Sequence, residues 1–308
     1  MFDFQIVEVV FILIGATILF GYYPNLSKVL GSFTRPQGVD VTQSSKPTGS
    51  GIIFPLVLYF YIFANFQDFN LSPSSFLIMS SCFLMAVLGF IDDIYFLSSK
   101  LRLLCHVFFV CILAFIFLND QFNELNFVNF TYLIIVVILG VWLLNSFNFI
   151  DGADGLLAVN SLMICLTLGI YSLIENDLLV TDILFNFSLI LLSFLFFNWH
   201  PSKIFMGDAG SLFLGSVFLV LIVYFFSQDI LKLATIFIIF SLILVETTCT
   251  LLVRIFRRED FLSGRHDLHA YQQLAKRPNG GSLPAKVSIL ITLFWIVPLG
   301  ILSHMFED

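Results

Sequence analysis

The sequence predicts an all-α, polytopic integral membrane protein: a single domain over residues 1–308 with about ten transmembrane helices, both termini outside and the functional face in the cytoplasm. Three observations lead there. Of 308 residues, 59% are hydrophobic and 11% charged, with 39 Phe and a mean hydropathy of +0.99; soluble globular chains carry about 25% charged residues. The apolar residues form continuous runs, near the roughly 17–25 residues a hydrocarbon core requires of a helix, and not the short alternating strands of a barrel. Finally, the Lys and Arg residues gather in alternate loops.

In chain order the runs lie near 5–22, 51–66, 75–91, 103–118, 131–147, 156–174, 179–197, 211–226, 230–253 and 285–303, the second being short. Only Asp3 and Glu8, and no basic residue, accompany the start of the first run; this argues against a cleaved signal peptide and suits an outward N-terminus. Lys28, Arg35 and Lys46 follow the first run, Lys100 and Arg102 the third, and Lys203 the seventh. Arg254, Arg257, Arg258, Arg265, Lys276, Arg277 and Lys286 follow the ninth. The opposite loops hold one base, Lys232, against Asp68, Asp120, Glu124, Glu175, Asp177, Asp182 and Asp229. The bias places the loops near 23–50, 92–102, 146–155, 198–210 and 254–284 in the cytoplasm. The net charge of −7 matters less than this distribution. All five cysteines lie in or beside apolar runs without zinc-ligand spacing and read as buried thiols.

Every unusual polar cluster falls on that cytoplasmic side. In "LLNSFNFIDGADGLLA", Asn145, Asn148, Asp151 and Asp154 recur at every third residue. A helix C-terminus there presents bare carbonyls and partial negative charge, which favours a cation, while Gly152 and Gly155 interrupt the helix. The same residues would also serve as plain helix caps. Asp92-Asp93 is an adjacent carboxylate pair that ionises at a cost unless a cation is near; a solvated helix end is the simpler reading. Lys100 and Arg102 could hold phosphate oxygens or snorkel to headgroups. In "FMGDAGS", Asp208 stands before a helix start, either as a cap or as a metal ligand beside a bound anion. Asn198 and His200 precede it, His200 reading as structural. "GRHDLHAYQQL" brings Arg265, His266 and His269, donors for a diphosphate or a basic stripe on anionic lipid. Glu246, in the ninth run, reads as a structural acid bonding a neighbouring helix or lining the site from below.

Together these stretches resemble the polyprenyl-phosphate N-acetylhexosamine-1-phosphate transferases, the MraY and WecA family. "GFIDD" with "LSSKLRLL" is similar to that family's Asp-Asp motif and its basic segment, and "NSFNFIDGADGL" to its N-x-x-N-x-x-D-G-x-D-G-L motif. "NWHPSKIFMGDAGSLFLG" resembles its N-x-x-P-A-x-x-F-M-G-D-x-G-S-L segment, with Ser202 in place of the usual Ala, and "VETTCTLLVRIFRR" its Asp-Thr…Arg-Arg stretch with Glu246 in place of Asp. Two loops depart. "HDLHAYQ" carries Asp267 and Ala270 where H-x-H-H would have His, a form similar to the subgroup that initiates O-antigen or capsule chains. "SSKPTGSG" is poorer in glycine than T-P-x-x-G-G.

The resemblance implies transfer of an N-acetyl-aminosugar 1-phosphate from a UDP-sugar to undecaprenyl phosphate, giving a lipid-linked pyrophosphoryl sugar and UMP. The expected setting is the bacterial inner membrane, at the start of a lipopolysaccharide, capsule or related envelope glycan. It implies Mg2+, with Mn2+ as a substitute, held by Asp208 and Asn148. Asp92, Asp93 and Asp151 take catalytic roles on the acceptor phosphate. Asp154, Asn145, Lys46, Lys100, Arg102, Asn198, Arg265, His266 and His269 contact substrate. The lipid bilayer and a homodimer are the further partners it implies, and no nucleic acid is expected. A membrane transporter with a cytoplasmic-face ion or substrate site is the alternative. It predicts midplane acids and a repeat between halves, whereas Glu246 is the only acid in the middle of a run.

Overall fold

The computed structural model describes residues 2–31, 46–65, 72–118, 127–257 and 268–306. Arg265 and His266 lie outside them. The ten apolar runs appear as helices: α1 (Phe2–Leu30), α2 (Ile53–Ala64), α3 (Pro73–Tyr95), α4 (Ser99–Leu118), α5 (Phe127–Ile150), α6 (Leu156–Ile174), α7 (Leu178–Asn198), α8 (Gly207–Ser227) and α9 (Leu233–Phe256). The short α10 (Ala270–Ala275) then leads to α11 (Leu283–Met305), which contains one π-helical turn at Thr292–Ile296. No strand occurs among the described residues.

Nine of these helices are long and apolar enough to cross a membrane. The expectation of about ten needs adjusting at one place: α2 with its leading 3-10 turn spans only Ser50–Ala64, shorter than a hydrocarbon core requires of a straight helix. The helices also run further into the predicted loops than the apolar pattern suggests. Asp92 and Asp93 lie in α3, and Asn148 in α5, because a helix continues past the hydrocarbon while its backbone bonds are satisfied.

Burial separates a centre from a rim. In α6 and α8, 67% and 61% of the apolar stretch is buried, against 22% in α1. Outward residues such as Phe11, Ile18, Phe108 and Phe115 are exposed and large, as lipid-facing side chains should be, since a helix satisfies its own backbone in hydrocarbon. Inside, aromatic contacts join the helices alongside close glycine approaches of the kind common in membrane bundles. Phe20, Phe54 and Phe194 join α1, α2 and α7 with ring centroids 5.2–5.7 Å apart. Phe147, Phe218 and Phe240 do the same for α5, α8 and α9, at 5.3–6.5 Å.

A very close backbone approach lies between α3 and the start of α8. A Cβ on Gly89 would sit 2.1 Å from the Asp208 carbonyl oxygen, a separation only a hydrogen can occupy. That contact brings the polar end of α3 against the polar start of α8, and sets where everything else on this face can be. Gly89→Ala should therefore cost about 1–3 kcal/mol or more, the usual penalty of overpacking. A lower thermal midpoint and poorer monodispersity in detergent are the expected results. Gly15→Ala, with nothing within 4 Å of its added Cβ, should leave both unchanged.

Candidate functional site

The N-terminus of α8 presents backbone N–H groups that no helical carbonyl can accept. Asp93, reaching from α3, fills that need: its Oδ1 accepts from the Asp208 N–H at 3.0 Å and its Oδ2 from the Ala209 N–H at 3.1 Å. Gly207 makes room, with φ +70° and a position where a Cβ would collide with that carboxylate. Asp93 is thus spent as a cap borrowed from another helix. Asp92 is 5% exposed and equally engaged. Its Oδ1 accepts from the Leu97 N–H at 2.6 Å, where the chain leaves α3, and its Oδ2 lies 3.0 Å from Arg102 Nη1.

Asp208, capped from behind, offers its carboxylate to the site. Oδ2 meets Arg102 Nη1 at 3.1 Å and Oδ1 accepts from Asn148 Nδ2 at 2.7 Å. Asn148 also donates to Ser211 Oγ at 3.2 Å. Arg102 therefore stands between Asp92 on α3 and Asp208 on α8, which are far apart in the chain. Lys100 is exposed and takes no part in these contacts. Asp151 follows α5, half-buried and, among the described residues, without a side-chain hydrogen bond or ion pair. Burial first, then the charges of Asp208 and Asp93, push its carboxyl well above the ordinary range. Among the described residues, Asp92, Asp93, Asp151 and Asp208 make this corner rich in carboxylates, with Arg102 the cation paired to two of them.

A second group forms around Asp154. His200 Nδ1 lies 2.8 Å from Oδ2, the Ser202 N–H donates to Oδ2 at 3.1 Å, and the Ser202 hydroxyl donates to Oδ1 at 2.7 Å. Although burial opposes it, these donors and the nearby Lys46 charge hold the Asp154 carboxyl below its usual range. Lys46 arrives because its loop is hydrogen-bonded to the segment before α8: the Phe205 N–H donates to Pro47 O, the Ser50 N–H to Phe205 O, and the Gly51 N–H to Met206 O, at 2.9–3.2 Å.

Three expected substrate contacts are placed differently. Asn198 is 5% exposed and serves as an internal clamp, accepting from the Gly155 N–H at 3.0 Å and donating to Ile204 O at 2.9 Å. Asn145 donates to Val141 O at 2.7 Å and faces His106 Nδ1 at 3.3 Å. His106 is buried, one turn beyond Arg102 on α4; that i to i+4 spacing was its only mark in the sequence. His269 is held by Glu246, with Nδ1 2.9 Å from Oε2, while the Ala270 N–H donates to Oε1 at 3.0 Å. Glu246 thus ties α9 to the start of α10, in line with the structural role its sequence position suggested. Tyr271 stacks on His269 at 5.1 Å and donates to Phe149 O at 2.8 Å, lying over Gly152. Burial chiefly, with the charges of Glu246 and Asp151, raises its phenol far above normal, so it stays a neutral donor.

Comparison with known proteins agrees with this layout. The model of glycosyl transferase family 4 matches residues 75–226, the stretch from α3 through α8. A phospho-N-acetylmuramoyl-pentapeptide-transferase of Oceanobacillus iheyensis is 29% identical over 250 residues, 73% of this chain and 74% of that protein. A probable undecaprenyl-phosphate N-acetylglucosaminyl 1-phosphate transferase of Bacillus subtilis is 34% identical over 139 residues, 43% of this chain and 39% of that protein. A phospho-N-acetylmuramoyl-pentapeptide-transferase of Kosmotoga olearia is 32% identical over 212 residues, 61% of this chain and 63% of that protein. The latter two matches span less than two thirds of those relatives' own length. Since the matched stretch is the one that builds the carboxylate cluster around Arg102 and the start of α8, the chain belongs to glycosyl transferase family 4, among the polyprenyl-phosphate phosphosugar transferases.

Proposed function

We propose that this protein moves an N-acetyl-aminosugar 1-phosphate from a UDP-sugar to undecaprenyl phosphate on the cytoplasmic face of a bacterial inner membrane. The observation that carries the reading is the meeting of Asp208, Asn148, Arg102 and Asp151 at the ends of membrane helices. There a lipid-borne phosphate and a soluble diphosphate can be brought together. The basic bias of the loops on this side supports the cytoplasmic assignment and outward termini. The name of the Bacillus subtilis relative supports an N-acetylglucosaminyl-type sugar, and the names of the other two an N-acetylmuramoyl sugar carrying a pentapeptide. The "HDLHAYQ" form of the last loop favours the former and the start of an O-antigen, capsule or related chain.

The donor set fits Mg2+. Among the described residues, no three His, Cys, Asp or Glu side chains form a ready-made metal cage. Mg2+ in phosphoryl-transfer sites commonly takes one or two carboxylates and fills the rest from water and substrate phosphates. Arg102 is shared between Asp92 and Asp208, so a further cation beside Asp208 would relieve the crowding of carboxylates there. Asp208 would hold it, joined by Asn148 once that amide turns its oxygen instead of Nδ2 toward the metal. When bound, the ion would screen the repulsion between the acceptor phosphate and the donor diphosphate.

In the reaction, an acceptor phosphate oxygen bonds to the β-phosphorus, and the bond from that phosphorus to the oxygen bridging to the UMP moiety breaks. The acceptor, with a second pKa near 6, is largely deprotonated at neutral pH. Positioning therefore matters more than a strong base. Arg102 would donate to phosphate oxygens from between Asp92 and Asp208, with Lys100 near the membrane surface. Asp92 and Asp93 act through that scaffold, since their oxygens are engaged within the chain. Any proton handling falls to Asp151, which has no internal partner and a raised affinity for protons. By resemblance, Asp154, Lys46, Arg265, His266 and His269 would serve the donor, His269 through its tie to Glu246. A homodimer remains part of the proposal by resemblance alone.

Purified protein in detergent, given undecaprenyl phosphate, Mg2+ and a panel of UDP-N-acetyl sugars, should release UMP. EDTA should abolish release, Mg2+ should restore it, and Mn2+ should restore part of it. Asp208→Ala should lower kcat by roughly 10²–10³-fold, the scale of losing one electrostatic group from a transfer site. No UMP across a broad panel, from folded protein, would sink the reading. Glu246→Gln keeps an acceptor for the Ala270 N–H but removes the charged partner of His269. It should lower kcat/KM for the donor about tenfold, as loss of a charge-assisted hydrogen bond does. Unchanged donor kinetics would disconnect His269 from the donor.

A further inference from the structure

The Asp154 group contains a residue to which neither the family motif nor the proposed reaction gives a role. Ser202 stands where the resembling family usually has alanine, and it is 5% exposed. Its hydroxyl has one proton, and hydrogen-bond bookkeeping fixes where it goes. Asp154 Oδ1, 2.7 Å away, is an ionised acceptor and takes the proton. Lys46 Nζ, 3.2 Å away, has only donors, so the Ser202 oxygen accepts from it. The result is a directed chain from Lys46 through Ser202 to Asp154, in which both ends are charged and the middle is neutral. Lys46 also lies 5.1 Å from the centroid of the Phe205 ring, a second restraint on a long flexible side chain.

With alanine at 202, the backbone N–H would still reach Asp154 Oδ2 at 3.1 Å and His200 would still hold the same oxygen at 2.8 Å. Asp154 would keep two of its three hydrogen bonds. Lys46 would keep its charge attraction to Asp154 but lose the hydroxyl that bridges the two. The hydroxyl's particular effect therefore falls on Lys46, whose loop comes from the other side of the site.

We propose that Ser202 is a positioning residue for the sugar-nucleotide donor, its hydroxyl locking the Lys46 ammonium to the Asp154 carboxylate so that the two meet the donor as one preassembled unit. The proposal rests on the reading of this protein as a sugar-1-phosphate transferase. Holding a lysine side chain in place before binding removes an ordering cost that the donor would otherwise bear. The effect belongs on donor affinity, not on the transfer step.

The test is steady-state UMP release by the full-length protein in detergent, varying donor and acceptor separately, for wild type, S202A, S202T, K46M and S202A/K46M. Ser202→Ala should raise the donor KM about three- to tenfold, the scale of one net hydrogen bond. The acceptor KM and kcat should change little. Ser202→Thr, which keeps the hydroxyl, should restore most of the donor KM. In the double variant, the Ser202→Ala effect should vanish because Lys46 is no longer there to be placed. A donor KM in S202A equal to wild type, or an S202A effect that persists undiminished in the K46M background, would overturn the proposal. Since relatives of this pattern carry alanine at the position, S202A is expected to fold; if it does not, the S202T and K46M comparison still decides. Wild type that releases no UMP with any donor would instead overturn the transferase reading itself.

Discussion

The start of α8 needs acceptors, and Asp93 supplies them from α3. A helix N-terminus inside a membrane protein cannot leave its N–H groups bare, because burying an unpaired amide costs about 1–3 kcal/mol on mutational scales. Here two of those donors are met by one carboxylate from a neighbouring helix. The bond works only because backbones come close enough: Gly89 lies against the Asp208 carbonyl, and Gly207 leaves space for the carboxylate. Once α8 is registered against α3, Asp208 faces Asn148 on α5 and Arg102 on α4, and the loop bearing Lys46 pairs with the segment leading into α8.

The electrostatics of the face follow from the same registration. Four carboxylates crowd near the ends of α3, α5 and α8, and among the described residues Arg102 is the cation that pairs with them. Asp92 and Asp93 are stabilised by internal donors. Asp151 has none, and its carboxyl shifts upward because removing a charge from water beside other negative charges is unfavourable. Asp154, a short distance along the same loop, shifts downward because four donors and cations surround it. Two neighbouring acids in one loop are thus driven in opposite directions by what the tertiary structure sets beside them, and so suited to different work.

Much of the candidate site was visible in the chain because polar residues beside a hydrocarbon core stand out. Asp151 and Asp208 drew attention for that reason, and the structure places both in one corner. Roles were less visible. Asp93 looked like half of a catalytic pair and is a cap for another helix. Asn198 looked like a substrate contact and is an internal clamp holding the Gly155 amide. His106 carried no motif signal and Ser202 only a departure from one, since their roles come from partners 39 and 156 residues away.

The sequence by itself determined the class of protein, the runs that become its helices and the face on which its chemistry gathers. Those depend on local hydropathy, on charge counted loop by loop, and on helix-ending residues, all written along the chain. The tertiary structure decided which carboxylates remain available and which are consumed. That depends on distances between helix ends, set by contacts such as Gly89 against Asp208 and Tyr271 over Gly152. A hydrogen-bond donor brought to 3 Å from an acid changes its role, and no spacing in one dimension records that distance.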